Sequence, residues 1–192
     1  MIKIGIVGPE AGKWKPEQIS KARIIIRNIL VAKDPYISFK QEGFYSIKDT
    51  VLVSGHCPKG GVDIWAEEIA DELGIKKEIY PAEANKEGKY HWDDKREFDP
   101  KTYDEHIMGG AFYFYAKLRK LKGYRSRNIQ VAEACDVLYC IVPRAKRLID
   151  TTEYMFCKHC CEFGHPTNGG CWTLKYLRQH FPDKEVHLVV VQ

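Results

Sequence analysis

A chain of 192 residues with 44% hydrophobic content is long enough to bury a core, and it predicts a single domain, 1–192, of ordinary size. Its formal charge of +4 is modest and evenly scattered, which gives no argument by itself for a nucleic-acid partner. The start lacks the basic, apolar and small-residue sequence of a secretion signal, and no apolar run approaches the roughly 20 residues that span a bilayer, so a soluble, cytoplasmic protein is expected. The cysteine count of seven is odd, and four of these residues crowd between 157 and 171, which points to metal rather than to a disulfide framework.

In chain order, Met1 to Val7 reads as a buried strand broken by Gly8 and Pro9. The loop that follows is no phosphate-binding P-loop, because its glycines are one residue too close and Trp14 stands where a magnesium-binding Ser or Thr belongs. Glu17 to Lys33 is a helix by pattern, with Pro16 at its start and apolar residues at Ile19, Ala22, Ile25, Ile26, Ile29 and Leu30.

The stretch from Val51 to Gly74 is the most informative. Val51, Leu52 and Val53 are β-formers, and Gly55, Gly60 and Gly61 punctuate a loop. Val62, Trp65, Ala66, Ile69, Ala70 and Leu73 then recur at helical spacing, and Gly74 closes the helix. A strand, a glycine loop and a helix start together present unpaired N–H groups and a positive dipole end, which suits an anion such as phosphate. A plain tight turn explains the same glycines.

Lys76 to Tyr80 is a further short strand. Ala82 to Asp104 reads as a long loop or lid carrying Tyr90, His91 and Trp92, and His106 to Lys122 as a helix with a basic tail. Arg125, Arg127 and Asn128 precede a second helical run to Ala134 and offer forked donors to a phosphate or carboxylate. Asp136 to Val142 and Glu185 to Val191 are the last strands, with a glycine turn at Asn168 to Gly170 before an amphipathic helix. Strands alternating with helices predict an α/β fold, a Rossmann-like three-layer sandwich with a mostly parallel sheet.

Between the last two strands, 144–171 forms a Cys/His insertion. Cys157-x-x-Cys160 puts two thiols on one tight turn, and His165 and Cys171 complete a CCHC set suited to a structural zinc ion. His159 and Cys161 compete for the same roles, and free buried cysteines are the alternative.

The order of IGIVGP, VSGHCPKGGVD with WAEEIADELGI, RSRN with AEACDVLYCIV, and NGGCWT resembles the SLOG superfamily of Rossmann-like domains. That group includes the DNA-processing protein A domain, the cytokinin-activating LOG enzymes and the YspA-like (YpsA-like) proteins, and the arginine-asparagine element is most similar to the last. The resemblance implies a nucleotide or nucleotide-derived ligand at the carboxyl edge of the sheet. It implies contacts from Gly8, Pro9, Ser54, Gly55, Gly60, Gly61, Asp63, Arg127, Asn128, Gly169, Gly170 and Thr173. LOG enzymes resemble a PGGxGTxxE pattern with a catalytic glutamate, but here Trp172 replaces the third glycine and Tyr176 stands at the glutamate position.

A sensor or binding module for a nucleotide-like small molecule is therefore the first expectation. An N-glycosidic hydrolase acting on nucleoside monophosphates is the alternative, with Asp63, then Glu10, as its candidate catalytic carboxylate. Single-stranded DNA binding is a third reading, and a homo-oligomer is compatible with all of them.

Overall fold

The computed structural model describes residues 1–31, 47–108, 111–145 and 156–192. Its elements in chain order are β1 (Ile2–Val7), α1 (Pro16–Leu30), β2 (Thr50–Ser54), α2 (Val62–Leu73), β3 (Lys76–Ile79), β4 (Lys95–Met108), β5 (Ala111–Leu121), α3 (Tyr124–Ala134), β6 (Val137–Pro143), α4 (Gly169–His180) and β7 (Glu185–Val191). The chain divides into two compact units, one made of Met1–Pro81 with Asn128–Gln192 and the other of Ala82–Arg127. The second of these, 82–127, holds a two-stranded sheet of its own.

In the first unit five strands form a wholly parallel sheet in the order β3-β2-β1-β6-β7. Side chains alternate across it, as strand geometry demands. Ile4, Ile6, Leu52, Tyr139 and Ile141 lie in one cluster with Ala22, Ile26 and Ile29 of α1 and Val62, Ala66 and Ile69 of α2. Val7, Val53, Leu138, Cys140 and Val142 lie in the other with Val131 and Ala132 of α3 and Leu174 and Leu177 of α4. Both faces are covered, giving the expected α/β three-layer sandwich. Each fully buried Ile or Leu contributes about 2 kcal/mol of transfer free energy, so truncating Ile26 to Ala costs roughly 2–5 kcal/mol.

Local chemistry fixes the helix ends. Pro16 starts α1, and Gln18 accepts from the Lys15 amide at 3.4 Å while its own amide donates to the carbonyls of Arg144 at 3.1 Å and Val191 at 3.3 Å. Arg23 and Arg27 of α1 pair with Glu68 and Glu72 of α2 on the surface, where each contact adds about 1 kcal/mol at most. α2 buries the stripe its spacing predicts and ends at Gly74 in the left-handed conformation, φ 68°. Trp14 packs edge-on against Trp65 at 5.4 Å and donates to the Pro9 carbonyl at 3.3 Å, so it belongs to the core. The last residues of the helix expected to reach Lys33, and the polar link after it, lie largely outside the described residues.

In the second unit β4 and β5 are antiparallel, paired from Lys95 with Leu121 to Met108 with Ala111. This corrects two expectations. The segment 82–104 is a loop only as far as Asp94, and His106 to Lys122 is strand rather than helix. Alternating aromatics in AFYFYA favour a pleated strand over a helix, and Gly109-Gly110 between two β-forming runs is a hairpin signal. The rings of the expected lid are tied within the unit: Tyr90 stacks on Tyr124 at 5.8 Å, and His91 Nε2 lies 3.3 Å from the Asn85 amide. Among the described residues no helix is long and apolar enough to cross a membrane.

Candidate metal centre and glycine-turn rim

Cys157, Cys160, His165 and Cys171 are all buried, and their ligand atoms lie within 4.8 Å of one another. Three pieces of local structure bring them together. An antiparallel bridge between Phe156 and Phe163 and a Cys157 amide bond to the Glu162 carbonyl at 2.9 Å fold the first two cysteines into a knuckle. Cys161, just after the second ligand, takes the left-handed conformation at φ 61° and turns the chain. The Ala145 amide donates to the Gly164 carbonyl at 2.8 Å, which pins the knuckle to the chain leaving β6, and Cys171 enters from the first turn of α4.

The competing ligands are thereby resolved. Cys161 is exposed, and His159 lies outside the cluster. His165 Nε2 is 3.2 Å from Cys160 Sγ, while its Nδ1 lies 3.1 Å from the Pro166 carbonyl. Nδ1 also lies 3.9 Å from Cys171 Sγ; a proton on Nδ1, donated to the Pro166 carbonyl, leaves the Nε2 lone pair beside Cys160, the tautomer metal-binding imidazoles adopt. Asn168 caps α4 by accepting from the Cys171 amide at 3.1 Å, and its own amide reaches Cys171 Sγ at 3.2 Å. Residues 146–155 of the insertion lie outside the described residues.

Burial and mutual contact act differently on the groups of the cluster. Burial, with neighbouring thiols adding to it, pushes the Cys160 thiol up to about 12. The Cys171 thiol is raised well above its ordinary range by its contact with Cys140 and by burial. Burial also acts to raise Cys157, but the N–H groups of Cys160 and His159 outweigh it and hold that thiol below its ordinary value. Burial acts to lower His165, and Cys171 more than reverses this. Crowded sulfurs resist ionising beside one another, whereas a divalent cation reverses that preference for all of them.

The glycine turns meet along the carboxyl ends of the strands, where the strand order reverses between β1 and β6. A Cβ on Gly170 would lie 2.9 Å from Gly8 Cα, and one on Gly8 would lie 2.4 Å from the Ile141 carbonyl and 2.5 Å from a Val62 methyl. Gly61, at φ 101°, is the N-cap of α2, and a Cβ there would lie 2.4 Å from the Pro9 carbonyl. The turns after β1 and β2 and the start of α4 therefore interlock backbone to backbone. Lys59 and Lys13 both pair with Glu10, at 3.3 and 3.8 Å, across the first two turns.

The expected contact residues differ in their surroundings. Gly8, Pro9, Gly55, Gly60 and Gly61 lie in the first two turns, Ser54 is the last residue of β2, and Gly169 and Gly170 form the first turn of α4 rather than a loop before it. Asn128 and Thr173 are buried and donate to the Gly169 carbonyl at 3.3 and 3.1 Å, so they hold the turn itself. Asp63 is buried in the first turn of α2, with Gly61 and not Asp63 at the cap. Arg127 belongs to the second unit, buried, its guanidinium 5.1 Å from the Tyr124 ring centre. Arg125, Arg127 and Asn128 stand in the opening turns of α3 itself rather than ahead of a separate helical run.

Two features went unread in the sequence. Glu67 of α2, buried, accepts from Ser54 Oγ at 2.6 Å and faces His56 Nδ1 at 2.8 Å. A hollow of about 420 Å³ lies at the opposite, amino end of the sheet, but Asp49, Asp136, Asp183 and Glu185 line it and repel phosphate. The chain matches no family model, no curated protein and no solved structure.

Proposed function

We propose that the chain binds a nucleotide or nucleotide-derived phosphate at the carboxyl edge of its parallel sheet, as a sensor or binding module, with a structural zinc bracing that edge. Supporting the ligand reading is the meeting of the turns after β1 and β2 with the first turn of α4 at the point of strand-order reversal, where ligands of open α/β sheets bind. The amide of Gly61 and those of the first turn of α2, with Lys59 and Lys13 nearby, form the anion-attracting part. The motif order that resembles the SLOG superfamily supports the same ligand class.

Zinc is the metal we assign to Cys157, Cys160, His165 and Cys171, because three thiolates and one imidazole suit its borderline softness. Four protein ligands leave no coordination position for a substrate, which makes the role structural. The observation that carries the joint reading is a sequence adjacency: Gly170 abuts Gly8 in the rim, and the next residue, Cys171, belongs to the buried Cys/His cluster. The ion would thus set the start of α4 against the turn after β1.

Binding precedes N-glycosidic hydrolysis as the reading, since Asp63 is buried at a helix start and Glu10 is engaged by Lys59 and Lys13. The test is calorimetric titration of nucleoside 5′-monophosphates into protein of measured zinc content. Saturable binding that disappears after chelation is expected. Binding to the bare nucleoside as tight as to its phosphate would refute the anion site.

A further inference from the structure

Ser54, His56 and Glu67 form a connected constellation at the end of β2, of which only Ser54 stands among the ligand contacts expected above. Glu67 is 8% exposed overall, and both its oxygens are occupied, Oε1 by Ser54 Oγ at 2.6 Å and Oε2 by His56 Nδ1 at 2.8 Å. The Ser54 oxygen in turn accepts the His56 amide at 3.3 Å, which directs the single hydroxyl proton to Glu67. With both its oxygens accepting, the carboxylate selects the imidazole tautomer that carries its proton on Nδ1. The lone pair is then on Nε2, for which there is no hydrogen-bond partner among the described residues, and the side chain is 51% exposed.

The backbone supplies a second observation. His56 has φ 48°, one of two non-glycine residues with positive φ among those described. Such a conformation costs about 1–2 kcal/mol. Satisfying a buried carboxylate requires only a donor, and an unstrained residue would serve. The strain instead holds an imidazole with one nitrogen fixed and the other open to solvent, in the same loop that leads through Gly60 and Gly61 into the positive N-terminal end of α2.

We propose that His56, positioned by Glu67, is an acid–base group that activates water to hydrolyse a phosphate monoester held at the glycine turns. The proposal rests on the anion-binding reading of those turns. His56 Nε2 takes one proton from water as the water oxygen bonds to phosphorus. The ester P–O bond breaks, and its electron pair leaves with the ester oxygen. The imidazolium proton passes to solvent, which supplies the proton the leaving oxygen needs. Inorganic phosphate and an alcohol result, and nothing is oxidised or reduced. His56 is the catalytic residue, and Glu67 acts through it.

The experiment measures phosphate release from p-nitrophenyl phosphate and from nucleoside 5′-monophosphates by the full chain, His56→Gly and Glu67→Gln, with nucleotide-induced thermal shifts recorded in parallel. Glycine suits the positive φ, so His56→Gly keeps the fold. Its kcat/KM is expected to fall about 10²- to 10⁴-fold, to recover in part with added free imidazole, and to leave the nucleotide-induced shift intact. Glu67→Gln is expected to lower kcat with little change in KM. Undiminished release by His56→Gly, or no rescue by imidazole, overturns the proposal. A full chain that binds nucleotide yet releases no phosphate overturns it and spares the binding site, whereas absence of binding overturns both.

Discussion

The cysteine knuckle and the glycine rim are joined through the start of α4, yet they are built on opposite principles. In the knuckle, four polar side chains converge on one another, and burial with close neighbouring sulfurs makes the Cys160 and Cys171 thiols resist ionising there. In the rim, the backbone itself converges, and the missing side chains of Gly8, Gly61 and Gly170 are what allow it. Clusters of one residue type in a sequence therefore carry different information. Clustered ligands imply something absent from the chain, whereas clustered glycines are fully explained by close approach and need further evidence before they imply a ligand.

That contrast can be broken at its strongest point first. Cys157→Ser or Cys171→Ser should cost about 4 kcal/mol or more, because a structural metal contributes its binding free energy to folding. Chelation should destabilise the unaltered protein by a similar amount, read by calorimetry as a fall in melting temperature. Cys161→Ser should leave metal content and stability unchanged, since Cys161 is exposed and outside the cluster. Equal losses for Cys161 and Cys157 would erase the distinction between ligand and bystander.

Next comes the rim. Gly61→Ala forces a methyl against the Pro9 carbonyl at φ 101°, and strain plus overlap should cost about 3 kcal/mol, a fall of roughly 6–12 °C for a chain of this size. Gly74→Ala meets no atom within 4 Å and bears only the left-handed penalty, about 1 kcal/mol. Equal effects at the two sites would show that crowding at the rim is not what glycine relieves. Smallest of all, Arg23→Ala on the surface of α1 should change stability by less than about 1 kcal/mol, and 0.5 M salt should remove most of that.

How much of this was legible beforehand depends on the range of the interactions. α2 and its stop at Gly74 could be read because helical periodicity and a left-handed cap are written within consecutive residues. The clustering of Cys157, Cys160, His165 and Cys171 could be read because knuckle spacing is local, although setting Cys161 outside it needed the turn geometry at Cys161. The hairpin of β4 and β5 was hidden by a basic tail, Lys117 to Lys122, that suits a helix end, and the Gly109-Gly110 signal was passed over. The extent of the second unit was missed for the same reason. His56 and Glu67 were invisible because their meeting depends on how α2 lies along β2, which no spacing rule supplies. Glycine positions were legible as turns, but their mutual contact was not.

The central claim is that the meeting of turns, held by the metal, takes up a phosphorylated small molecule. It is tested most directly by thermal denaturation of the zinc-containing protein against a series of nucleosides and their mono- and diphosphates. A ligand at 100 times its dissociation constant should stabilise the chain by about 2.7 kcal/mol and raise its melting temperature by roughly 5–10 °C. The account predicts such a saturable rise for a phosphorylated member of the series and none for its bare nucleoside. Identical curves across the whole series at millimolar concentration would contradict it.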